Sequence, residues 1–183
     1  MENFLIFCGA NKGNHPKYAT LATEIGKQLA KSGKTILYGG GSVGLMGVLA
    51  DAALSENGKV IGVITEQLDK MEVGHHGITE MILVPDMQIR KVKMLEMCDV
   101  SIAIPGGYGT LDEIFEALTL SQLDVIRKPV GILNFENFFS PLLQQIDLMV
   151  EAGFIHPSNK SLFVVADDFN SLLDKLASWT FNP

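Results

Sequence analysis

The fold class this sequence predicts is α/β: a Rossmann-like, doubly wound sheet of about seven mostly parallel strands. Two observations predict it. Short, nearly continuous apolar runs alternate with amphipathic stretches, as expected when buried parallel strands are joined by helices that cover both faces. The loops that follow three of those runs are rich in glycine, and it is beyond the carboxyl ends of strands that open α/β sheets bind their ligands. A chain of 183 residues fits one domain, expected to span residues 1–183, and is long enough to bury a sizeable core.

The strands are placed at Phe4 to Cys8, Thr35 to Tyr38, Val60 to Ile64, Met81 to Val84, Val100 to Ile104, Val130 to Leu133 and Leu162 to Val165, each a run of apolar residues too short for a helix. After Pro16, the residues Tyr18, Leu21, Ala22, Ile25 and Leu29 recur at helical spacing, and Gly33 is placed to end that helix. Gly58 is expected to end the helix from Leu45 to Asn57 in the same way. Thr65 to Gly77 is the least regular segment and reads as a loop or short helix over the site. A helix runs from about Met87 to Cys98, with Met87, Met94 and Met97 read as core packing. The strands at Phe4 and Val100 are expected side by side at the switch point, with the Met81 strand at an edge.

Composition narrows the function. A hydrophobic share of 47% with 19% charged residues excludes disorder, and no apolar run approaches the ~20 residues of a membrane span. The first residues carry no basic region and lead straight into a strand, so a cytoplasmic location is expected. A formal net charge of -7 without a Lys/Arg cluster argues against nucleic acid as a partner. Arg90, Lys91 and Lys93 fall within four residues, either as a solvated helix face, the usual case, or as local charge able to neutralise one small phosphorylated ligand. Cys8 and Cys98 read as buried thiols, and His15, His75, His76 and His156 have no metal-ligand spacing, so no metal is expected.

The three glycine-rich loops are Gly9 to Gly13, Gly39-Gly40-Gly41-Ser42-Val43-Gly44-Leu45-Met46-Gly47, and Pro105-Gly106-Gly107-Tyr108-Gly109-Thr110. Together they predict a cleft lined by backbone N–H groups and helix N-termini, suited to a nucleotide. The second loop contains a G-x-G-x-x-G pattern, with Glu66 about 20 residues on, as in a dinucleotide site. It follows the second strand rather than the first, and no half of the chain is suited to hydride chemistry, so no nicotinamide or other cofactor is expected. Glu113 falls one turn into the helix after the Pro105 loop. There it is either a catalytic carboxylate, suited to chemistry at a sugar rather than at the phosphate, or the partner of Thr110 in a capping box.

The second loop, Asp86-Met87 with Arg90-Lys91, the Pro105-to-Thr110 turn with Glu113, and the later Arg127-Lys128-Pro129-Val130-Gly131 resemble, in order and spacing, the Lonely Guy (LOG) family of nucleotide phosphoribohydrolases. The resemblance spans Phe4 to about Leu176. It implies hydrolysis of the N-glycosidic bond of purine riboside 5'-monophosphates, AMP or N6-prenylated adenine nucleotides, to free base and ribose 5-phosphate, with cytokinins as products. Members are often labelled lysine decarboxylases, but no lysine here has a Schiff-base context. The resemblance places the catalytic pair on Arg90 and Glu113. It places substrate contacts on Glu72, Lys91, Gly106, Gly107, Tyr108, Gly109, Thr110 and Thr119, to which the glycine loops add Gly9, Gly40, Gly41 and Ser42. It also implies a homodimer, with the Met87 to Cys98 helix as the candidate contact. Gln88, Ile89 and His76 depart from the usual family residues, which bears on the base that fits. The rival expectation is a nucleotide-binding carrier or sensor on the same fold that does not hydrolyse.

Overall fold

A computed structural model describes residues 1–71 and 73–181. Seven strands form one sheet in which every neighbouring pair is parallel: β1 (Asn3–Phe7), β2 (Thr35–Tyr38), β3 (Lys59–Thr65), β4 (Glu80–Val84), β5 (Val100–Ala103), β6 (Val130–Leu133) and β7 (Phe163–Ala166). Their order across the sheet is β4-β3-β2-β1-β5-β6-β7. The chain therefore winds outward one way from β1, returns to its other side at β5, and winds outward again. β1 and β5 are neighbours, with Phe4 paired to Val100 and Phe7 to Ala103, and β4 is an edge strand. Each expected strand is present, with ends shifted by at most one residue.

The period of two along β1 divides the core. Phe4, Ile6 and Cys8 point to the face covered by α1 (Pro16–Lys31), α2 (Gly44–Leu54) and α7 (Phe169–Ala177). Leu5 and Phe7 point to the other face, against α4 (Met87–Met97) and α5 (Tyr108–Gln122). Among the described residues the remaining α-helices are α3 (Glu66–Lys70) and α6 (Ser140–Glu151), with short 3-10 turns at Phe135–Asn137 and Pro157–Leu162. Among the described residues no helix is long and apolar enough to cross a membrane. Both cysteines are buried free thiols; burial pushes the Cys98 thiol up to about 11 and the Cys8 thiol higher still.

Local signals explain most helix ends. Pro16 occupies the first turn of α1, where its missing N–H costs nothing, and the His15 side chain accepts a hydrogen bond from the Lys17 N–H. Gly33 takes φ 68° just after α1. At the end of α2 the left-handed residue is Asn57, φ 58°, not Gly58. Asparagine tolerates that conformation, so the chain turns one residue earlier than the glycine suggested. Gly58 is instead held by packing, because a Cβ there would lie 2.5 Å from Ala30 Cβ. The three methionines of α4 divide: Met94 is buried, while Met87 is 45% exposed.

α1 and α2 pack so closely that a Cβ on Gly26 would sit 2.5 Å from the Leu49 carbonyl oxygen and 3.1 Å from Ala52 Cβ. The obstacle is helix backbone, which cannot swing aside. Gly26→Ala is expected to destabilise the fold by about 1–3 kcal/mol, the usual cost of overpacking; urea unfolding measures it, and a neutral result would mean the two helices slide without cost.

Candidate functional site

The carboxyl ends of β1, β2, β3 and β5 meet around one cavity of about 640 Å³. The three glycine loops form its floor and are bonded to one another. Gly9 N–H donates to the Pro105 carbonyl at 3.2 Å, and Leu45 N–H donates to the Gly9 carbonyl at 2.9 Å. Gly44, at φ 66°, lies so near the first loop that a Cβ would stand 2.2 Å from the Ala10 carbonyl carbon. Only glycine permits both the conformation and the approach.

The α5 N-terminus opens into this cavity. Its cap residue is Gly107, and among the described residues no side chain caps it. The proposed capping box therefore does not form: Thr110 and Glu113 lie inside the helix, and Thr110 is buried with no hydrogen-bond partner for its Oγ1 among the described residues. Gly106 is packed against Thr110 Oγ1 and Gly9, whereas Gly107 and Gly109 would point any Cβ into open space. An uncapped helix end with its positive partial charge and a glycine approach is an anion seat.

Arg90 enters from α4 and is 6% exposed, unusually deep for a charged side chain. Its Nε donates to the Val63 carbonyl at 2.8 Å and its Nη2 to the Gly39 carbonyl at 3.0 Å. Nη1 stands 3.7 Å from Glu113 Oε1, too long for a hydrogen bond but well within Coulomb range. Burial pushes the Glu113 carboxyl up to about 7, chiefly through lost solvation; Arg90 opposes the rise, Asp112 adds to it and Lys91 opposes it. The same lost solvation pulls Arg90 below its ordinary value, with Glu113 acting the other way. Glu113 is thus a carboxyl that exchanges its proton near neutral pH, the property required of a general base or acid.

Of the residues singled out in the sequence, Arg90, Glu113, Gly9, Gly41, Gly106, Gly107, Tyr108, Gly109 and Thr110 line the cavity. Gly40 and Ser42 do not. Gly40, at φ 75°, turns its Cα toward Ile64 and Met81, and Ser42 binds the Val73 carbonyl through both its N–H and its hydroxyl. Those bonds, with the Gly41–Gly74 bridge and His75 N–H to the Gly40 carbonyl, strap the segment after α3 along the second loop. His75 pairs with Asp51 and His76 with Asp69. Lys91 points away from the cavity into Asp112 and Glu116, at 3.1 and 2.8 Å, and Thr119 is exposed farther along α5. Glu72 lies outside the described residues.

The apolar wall was not anticipated. Val43, Met46, Ile64, Leu68 and Val73 line one side, and Tyr18 with Phe138 the other, the two rings edge to face at 6.0 Å. Only the rule that every loop after a strand deserves inspection points to Phe138, which follows β6.

The sequence model of a family described as possible lysine decarboxylase matches residues 46–176. A protein named cytokinin riboside 5'-monophosphate phosphoribohydrolase from Rhodococcoides fascians is 43% identical over 97% of this chain and 90% of its own length. One of the same name from Arabidopsis thaliana is 41% identical over 97% of this chain and 84% of its own. Among solved structures, a molybdenum cofactor binding protein from Rippkaea orientalis superimposes with a TM-score of 0.70 over 97% of both chains at 20% identity, a likeness of fold alone.

The folded Glu113 value near 7 lies above the ordinary 4.5. The carboxyl therefore contributes its full share of stability below about 4.5 and loses it as pH rises through about 7. Relative to Glu113→Gln, the wild type is expected to lose on the order of 1–3 kcal/mol across that window. Urea unfolding of both chains at several pH values measures the difference, and a difference independent of pH would contradict the buried carboxyl.

Proposed function

The chain belongs to the Lonely Guy (LOG) family, and from that premise we propose that it hydrolyses the N-glycosidic bond of purine riboside 5'-monophosphates, releasing free base and ribose 5-phosphate. The observation that carries the reading is the placement of Glu113 three residues past Thr110, just beyond the uncapped first turn of α5 and 3.7 Å from Arg90. One helical turn is ~5 Å, and the span from a 5'-phosphate to the anomeric carbon of its ribose is of the same order. A phosphate on the Gly107–Thr110 turn therefore sets the scissile bond beside Glu113.

In this arrangement the Glu113 carboxylate takes a proton from water, whose oxygen attacks the anomeric carbon as the bond to the base nitrogen breaks; the base leaves with that bonding pair and takes up a proton from solvent, and Glu113 gives its own proton back to solvent. Its negative charge also stabilises the oxocarbenium character that develops on the ribose. Arg90, permanently charged and fixed to two backbone carbonyls, stabilises negative charge on substrate and departing base rather than transferring a proton. Lys91 and Thr119 remain substrate-contact candidates outside the cavity, and Glu72, which falls outside the described residues, remains a candidate as well. The apolar wall from Val43 to Val73 suits an adenine bearing an N6-prenyl group, and AMP is the plain alternative.

Residues 1–183 form one domain in this reading. The protein acts in the cytoplasm on a small nucleotide, with no nucleic-acid partner, in keeping with its net charge of -7. A second copy of the chain pairs through α4, whose Met87, Ile89 and Val92 are each nearly half exposed.

Incubation with AMP and with N6-isopentenyl-AMP, followed by chromatography of the free base, tests the activity. Release from one or both is expected, with a loss of about 100-fold or more in Glu113→Ala; detectable binding without release would leave a nucleotide-binding module. Because the carboxylate is the active form, kcat is expected to rise with pH to a plateau above about 7, following the Glu113 ionisation. A rate that falls through that range would make the protonated carboxyl the working form.

A further inference from the structure

Arg90 is held most firmly along one edge. Its Nε and Nη2 donate to the Val63 and Gly39 carbonyls at 2.8 and 3.0 Å, while Nη1 makes a longer contact of 3.8 Å with Met87 Sδ and faces Glu113 at 3.7 Å. Gly39 follows β2 directly, and its φ lies outside the left-handed region, unlike that of Gly40 beside it. The backbone at residue 39 therefore does not itself call for glycine. A Cβ built there stands 2.0 Å from Arg90 Nη2 and 3.2 Å from Cζ, with Met46 Sδ next at 3.3 Å. What excludes a side chain is the guanidinium.

We propose that Gly39 is a positioning residue: the absent side chain at this position is the socket that holds the Arg90 guanidinium on the end of β2 with Nη1 turned toward Glu113. Gly41, in the same motif, is kept small by the Met46 methyl at 2.7 Å and Gly40 by its turn, so the three consecutive glycines serve different ends. The catalytic consequence rests on the reading of Arg90 and Glu113 given above. Glycine at 39 sets the separation of the pair, and through it the charge that Glu113 experiences.

The test compares Gly39→Ala, Arg90→Ala and the double variant. The atom in the way is the end of a flexible side chain, so Gly39→Ala is expected to fold with the guanidinium swung off its carbonyl. Its kcat for base release is expected to fall about 100-fold, the scale of losing one preorganised electrostatic contact, with KM changed far less. The Glu113 titration midpoint, followed by carbon-13 NMR of the labelled carboxyl, rises above that of the wild type, because the nearby positive charge has moved away. Adding Gly39→Ala to Arg90→Ala produces no further shift, as expected when two changes act through one element.

A merely structural glycine would lower the melting temperature and leave the midpoint in place. A wild-type kcat and midpoint in Gly39→Ala, or shifts that add in the double variant, would overturn the proposal. If Gly39→Ala does not fold, truncating Arg90 makes room for the methyl, and the double variant is expected to melt higher than the single one; equal failure of both would also overturn it. The carboxyl titration needs no turnover. A wild type that releases no base therefore removes the hydrolase reading while the socket is still tested.

Discussion

A guanidinium buried to 6% exposure is the constraint around which the site is arranged. Removing a full charge from water costs several kcal/mol unless the surroundings replace the lost solvation. Here the replacement comes from three separate elements: the Val63 carbonyl in β3, the Gly39 carbonyl after β2, and the Glu113 carboxyl from α5. Arg90 thereby ties α4, packed on one face, to the carboxyl edge of the sheet. The same dry surroundings lift Glu113 to about 7, so burial that is costly for stability yields a carboxyl with a proton to exchange at neutral pH.

The topology makes this meeting possible. Because β1 lies between β2 and β5, the loops after all three strands open at one place, and their glycines let backbone bond to backbone where side chains would collide. The uncapped end of α5 adds an anion seat to that floor, and the Thr110 hydroxyl is buried beside it without a partner among the described residues. The loop after β2 does two jobs at once: it lines the cavity and serves as the rail along which the segment after α3 is strapped.

Much of this is readable in the chain itself. The five inner strands, buried on both faces, must be nearly continuous in apolar residues, and the edge strands β4 and β7 are apolar enough to stand out as well, so all seven show in the sequence within a residue of their ends. The glycine loops are legible for the same reason, since close backbone approach leaves no other residue type. Local signals with two physical meanings mislead. Thr110 with Glu113 has the spacing of a capping box, but the cap position of α5 falls on Gly107, which has no side chain, and both residues lie inside the helix. Gly58 looks like the end of α2, while Asn57 adopts the left-handed turn.

Contacts made only by the fold are not legible locally. Lys91 follows Arg90 in the sequence, yet helical geometry turns it outward to Asp112 and Glu116. Tyr18 and Phe138 share a wall although 120 residues separate them, and nothing local to either announces the other. A crystal structure of Glu113→Gln with AMP bears most directly on the site as a whole. Phosphate on the Gly107–Thr110 turn, with the anomeric carbon between residue 113 and Arg90 Nη1, is the expected arrangement. A phosphate seated elsewhere, or a ribose turned away from residue 113, would contradict the assignment of Arg90 and Glu113 as the reacting pair.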